Sequence, residues 1–135
     1  MKTLVGLMLV CMLMLVSMQM IGAAPAYAAE ATQMWKCEMN DDTTEEEVIT
    51  MAREWLKAAK TMEGGERLKA FVNFPVAVNA IGNVDVFFIV VAPSFAEWGT
   101  FWDSYIDSPA AEVDKKNQEK IVCPDSALWE SIKIK

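Results

Sequence analysis

The stretch Val84-Asp85-Val86-Phe87-Phe88-Ile89-Val90-Val91-Ala92 decides the fold. From Val86 onward it carries no polar residue, so it does not alternate as a half-buried strand would. β-Branched and aromatic side chains favour extended backbone, and a short run that is apolar on both faces reads as a strand covered on two sides. Upstream, residues Arg67 to Val78 are also rich in Val and Phe, and the intervening Asn79 to Asn83 contains Gly82, so the two runs read as an antiparallel pair. Pro75 lies inside the first run and has no amide hydrogen to give a ladder, which predicts an edge strand or a bulge there.

Working outward, Ser94 with Glu97 three residues later is a capping-box pattern. Phe95, Trp98, Phe101, Trp102, Tyr105 and Ile106 then recur at helical spacing and predict an aromatic amphipathic helix. Ser108-Pro109 ends or kinks it, and Ala110 to Glu119 continues as a polar helical stretch. Ile121 to Cys123 and Leu128 to Ile134 supply the last extended material, interrupted by Pro124-Asp125. On the other side, Met34 to Met39 suits a strand, broken by Asn40-Asp41-Asp42. Thr43 or Thr44, with Glu46 or Glu47 three residues on, starts a helix whose apolar face is Val48, Met51, Ala52, Trp55, Leu56 and Ala59. Gly64-Gly65 stops it.

The first 28 residues read differently from the rest. Lys2 leads into an apolar block, Leu4 to Ile21, and the segment closes at Ala26-Tyr27-Ala28, a small-x-small site of the kind signal peptidase cuts. Residues 1–28 are therefore expected to be an export signal, and 29–135 a single domain delivered to the periplasm or the extracellular space. A retained anchor is the alternative, because the apolar length approaches the roughly 20 residues that span hydrocarbon. Against it, Gly22, Ala23, Ala24 and Pro25 supply the small, helix-breaking tail that precedes cleavage. Of three cysteines, Cys11 leaves with the signal, while Cys37 and Cys123 remain near the two ends of the domain. In an oxidising compartment such an isolated pair forms a structural disulfide; without a CxxC spacing a redox or metal role is the weaker reading.

The element order is strand, helix, strand, strand, helix, strand. It resembles the ferredoxin-like α+β sandwich, βαββαβ, in which one antiparallel sheet carries both helices on one face. In that fold the first and last strands are neighbours, which places Cys37 beside Cys123. The other sheet face must also be covered if it is as apolar as Phe87, Phe88, Ile89, Val90 and Val91 imply, and a second copy of the chain is the economical cover. The chain is therefore similar to the dimeric α/β-barrel group of small ferredoxin-like proteins, on element order and strand burial over almost all of the mature chain. The resemblance implies a homodimer. Members of that group include cofactor-free monooxygenases, haem-handling proteins, and stress or binding proteins of unknown role.

Composition narrows the function. Without Lys2 there are 19 acidic and 11 basic residues, a net charge of about −8, and no basic cluster, so nucleic acid and anionic membrane are not expected partners once the signal is removed. Histidine is absent, which removes the usual general base and the commonest metal ligand; no metal site and no cofactor are expected, and the haem-handling branch is disfavoured. Trp98, Trp102 and Tyr105 on the second helix, Trp55 on the first and Asn73 on a strand are candidate walls of a cavity for a planar or lipid-like ligand. The competing reading makes the aromatic residues core. Asp103 and Asp107, four apart, are a weaker candidate pair for acid/base work, a solvated face being the commoner outcome. Trp35 and Trp129 read as packing or dimer-contact residues. The reading favoured is a non-catalytic exported binding or interaction protein holding a small apolar ligand or a protein partner. A cofactor-free enzyme acting on a small aromatic or apolar substrate is the alternative.

Overall fold

The computed structural model describes residues 29–77 and 84–134. The signal segment and the Asn79 to Asn83 turn expected from the sequence lie outside the described residues. The elements run β1 (Glu30–Met39), α1 (Glu45–Ala59), β2 (Lys69–Asn73), β3 (Val86–Ala92), α2 (Phe95–Asp103), α3 (Pro109–Asn117) and β4 (Ile121–Ser131). They form one four-stranded sheet in the order β2-β3-β1-β4, and every neighbouring pair is antiparallel. This is the ferredoxin-like arrangement expected from the element order, with α3 as an addition between α2 and β4.

The helix boundaries follow the local chemistry. Thr44 caps α1 in a full capping box: its hydroxyl accepts the Glu47 amide, and the Glu47 carboxylate accepts the Thr44 amide at 2.9 Å. Glu47 also pairs with Lys120 at the start of β4. That ion pair and the Thr44 donors hold the Glu47 carboxyl down at about 2, so its support for the fold is complete above the ordinary 4.5 and lost as pH falls towards that lower value. Ser94 caps α2. The helix ends at Asp103, and a turn follows in which Asp107 takes a left-handed backbone, φ 61°. Ser108 then caps α3 with Pro109 at the first helical position, where its missing amide hydrogen costs nothing. The turn rules out the expected continuity from Asp103 to Asp107, so these two acids do not share a helical face.

Gly64 and Gly65 do more than stop α1. Gly64 has φ 77°, and a Cβ there would lie 2.6 Å from the Glu97 carbonyl oxygen and 2.7 Å from the Phe101 amide nitrogen. The loop after α1 thus rests directly on the backbone of α2, an approach that only glycine permits.

The sheet departs from expectation at its edges. β1 is longer than Met34–Met39 because Glu30 pairs with β4 and residues from Ala31 pair with both neighbours. β2 ends at Asn73, two residues before Pro75, and is an edge strand. β4 is continuous across Pro124, with the irregularity absorbed by a register shift opposite Lys36 and Glu38. The unpaired residues at that shift include Cys123, which is bonded to Cys37 with their Cα atoms 4.0 Å apart. The disulfide and the strand adjacency used to infer it are both present.

Strand parity sorts the sheet's two faces. Ala31, Cys37, Val86, Val90 and Ala92 are buried on the helical side, where Trp55, Trp98 and Phe101 close over them. On the opposite side, register places Phe71, Ile89, Met34 and Ala127 in one row and Val91, Thr32 and Trp129 in the next. Phe71 and Trp129 are about half exposed, at 50% and 56%. Within the single chain this apolar face has no cover among the described residues.

Candidate functional site

The helical face of the sheet does not fill completely. A cavity of about 570 Å³ lies between the sheet, the three helices and the start of β4. Its walls are Trp35 and Phe88 from the sheet, Trp55 from α1, Trp102 and Tyr105 from α2 and the turn after it, Asp114, Asn117 and Gln118 from the end of α3, and Ile121 to Cys123 from β4. That volume lies within the roughly 300–1,000 Å³ range of small-molecule sites.

Each wall has a local cause. Trp35 and Phe88 are direct cross-strand partners, so strand parity forces both onto the helical side, their rings 5.7 Å apart and stacked. Trp55 stands edge-on to Phe88 at 5.2 Å. Trp102 and Tyr105, three residues apart, stack at 4.6 Å. α3 reaches the site because it packs along α1 and because the turns below it are tied together. The Asn40 amide and the Thr43 hydroxyl both donate to the Lys120 carbonyl, at 2.9 and 3.0 Å. Among the cavity's polar groups, a chain of hydrogen bonds stands out. Trp55 Nε1 donates to the Tyr105 hydroxyl at 3.1 Å, and that hydroxyl donates to Asp114 Oδ2.

Both acids of the pair are displaced upward. Burial pushes the Tyr105 phenol well above its ordinary 10.0, and the hydrogen bond to Asp114 adds to this, against a smaller opposite effect of the Trp55 N–H. Burial likewise raises the Asp114 carboxyl above its ordinary 3.8, with the Tyr105 and Trp55 donors opposing. A carboxyl whose protonation equilibrium is displaced by its place in a cleft is a common mark of a functional site. Tyr105 is the only tyrosine after Tyr27, so in protein starting at Ala29 phenolate absorbance follows it alone. The absorbance midpoint is expected above pH 10. Because the folded value is raised, the stabilising contribution is complete below pH 10 and drains away as pH climbs through the folded value. A midpoint at pH 10 in folded protein would contradict the buried hydroxyl described here.

Of the residues proposed from sequence, Trp55, Trp102 and Tyr105 line the cavity. Trp98 is buried behind it, stacked on Trp102 at 5.4 Å, and is core. Asn73 is not with them. It pairs with Phe87 and so lies on the opposite sheet face, exposed, while its neighbour Val72 packs towards the helices. Trp35, read as a packing or contact residue, is a wall. Phe88, Asp114, Asn117 and Gln118 were not singled out; the polar helix that carries the last three gave no signal beyond its solvated composition.

No family model matches the sequence, and no curated protein matches it. Among solved structures, the hydroxynitrile lyase of Passiflora edulis superposes with a TM-score of 0.54 at 9% identity, covering 80% of this chain and 95% of that one. A protein of Arabidopsis thaliana does so with a TM-score of 0.54 at 7% identity, covering 79% and 96%. A dimeric ferredoxin-like protein of unknown function from Thermobifida fusca gives 0.46 at 13% identity, covering 78% and 92%. The first two likenesses show the fold alone.

Proposed function

We propose that the chain is an exported small-molecule-binding protein whose site is the aromatic cavity between the sheet and the helices. The observation that carries this reading is the convergence of four aromatic side chains from separate elements, Trp35, Trp55, Phe88 and Trp102, around an unfilled space with one polar end. A core built only for stability closes such a space, because interiors pack to the density of organic crystals. Export is supported by the signal-like segment and by the oxidised Cys37–Cys123 pair. No described helix is long and apolar enough to cross a membrane.

Native mass spectrometry of the protein purified from its own cells tests the reading. Wild type is expected to carry a bound small molecule, and Trp102→Ala to carry less than about a tenth as much, because the ring supplies a whole wall and is 46% exposed, so its loss leaves the fold intact. Equal retention by the variant would remove the cavity as the site.

The apolar sheet face is proposed to pair with a second copy of the chain. Phe71, Ile89, Met34 and Trp129 form one contiguous surface on it, and exposed apolar patches of that kind are uncommon on monomers. A sedimentation mass of one chain at micromolar concentration would dispose of this part.

A second reading, a cofactor-free enzyme, is favoured by the Tyr105–Asp114 pair, whose displaced protonation equilibria sit inside the cavity. The same fold carries an enzyme in Passiflora edulis. Recovery of the natural ligand unchanged after prolonged incubation with the protein favours binding; its conversion favours catalysis.

A further inference from the structure

The cavity's chemistry is lopsided. Its walls are aromatic, its one ionisable carboxylate is Asp114, and neither Lys nor Arg lines it. Asp114 keeps an exposed edge towards the cavity mouth, and its Oδ2 is already occupied by the Tyr105 hydroxyl. Apart from the Tyr105 hydroxyl and the neighbouring Trp55 N–H, no described side chain donates to Asp114. Lys116 and Lys120 do not supply the missing charge, since Lys116 pairs with Glu54 at 3.5 Å and Lys120 pairs with Glu47, both on the flank of α1 outside the cavity. A neutral hydrocarbon filling this space would leave the carboxylate desolvated and uncompensated, which is costly. A metal ion is poorly served, because no group of three His, Cys, Asp or Glu side chains converges anywhere among the described residues. A cation with an apolar skin satisfies both halves of the site. Ring faces attract it electrostatically, and the carboxylate neutralises it.

We propose that the cavity binds a small organic cation, an alkylated or aromatic ammonium, seated against Trp35, Trp55 and Trp102 with its charge towards Asp114. This rests on the reading of the cavity as a ligand site and specifies the ligand class that site prefers.

The test compares choline with 3,3-dimethylbutan-1-ol, in which carbon replaces the charged nitrogen at the same shape, by calorimetry and tryptophan fluorescence on the protein from Ala29 to Lys135. The cation is expected to bind at least about tenfold more tightly than the neutral analogue. Asp114→Asn, which keeps the acceptor for Tyr105 but removes the charge, is expected to erase that preference. Equal binding of the two probes to wild type overturns the proposal while leaving the cavity as an apolar site. Binding of neither at millimolar concentration overturns both. A preference for the cation that survives in Asp114→Asn overturns the role given to Asp114, and with it the proposal. The comparison on wild type needs no variant, so a folding defect in Asp114→Asn cannot hide the result.

Discussion

Removing the Cys37–Cys123 bond, by Cys37→Ala with Cys123→Ala or by reductant, is expected to lower unfolding free energy by about 4 to 5 kcal/mol on the chain-entropy argument. The bond closes a loop with a sequence separation of 86, most of the described domain, so it strongly restricts the unfolded ensemble. A domain of this size has roughly 5–15 kcal/mol in total, which leaves the reduced form close to its unfolding threshold. The loss has a second consequence. Cys123 sits at the irregularity of β4 and forms part of the cavity wall, so its release loosens the site as well as the fold. Urea denaturation of oxidised and reduced protein measures the difference, and a gap below about 1 kcal/mol would show that the entropic tie does not govern this domain.

Phe101→Ala is expected to cost about 3 to 5 kcal/mol, the range for deleting a buried aromatic ring. Phe101 is fully buried and is the largest side chain in that state among the described residues. Its ring contacts Trp98 at 5.6 Å, Tyr105 at 5.7 Å and Trp55 at 5.9 Å, so the two residues that open the Trp55–Tyr105–Asp114 chain both rest on it. The void left behind cannot be filled by β3, because Val90 is held by pairing on both sides and Ala92 by its pairing with Ala31. Phe101→Leu keeps most of the volume and is expected to cost less than about 2 kcal/mol. Chemical denaturation of both variants decides this; a Phe101→Ala loss no greater than that of Phe101→Leu would mean that the aromatic cluster collapses freely around the gap.

Elements with a local signal were legible. The α1 and α2 starts were readable because Thr44 and Ser94 cap by contacts three residues away. The break before α3 was readable because proline fits only the first helical turn. β4 was read as two pieces because Pro124 cannot join a ladder, yet the strand absorbs it through a register shift, which depends on the facing strand and leaves no local trace. The site divides the same way. Trp55 and Trp102 were legible as bulky aromatic residues on predicted helices. Asp114 looked like any acid on a solvated helix, and only the packing of α3 along α1 brings it beneath Tyr105.

The sequence by itself determined the order of the elements, the ferredoxin-like class and the partnership of the two cysteines, because caps, periodicity and one element order with adjacent terminal strands are short-range or combinatorial properties. Tertiary structure alone decided which side of the sheet each strand residue faces and which helix end closes the cavity. A shift of one residue in register exchanges the faces, so Asn73 went to the open side through its pairing with Phe87, and Trp35 came to the cavity through its pairing with Phe88.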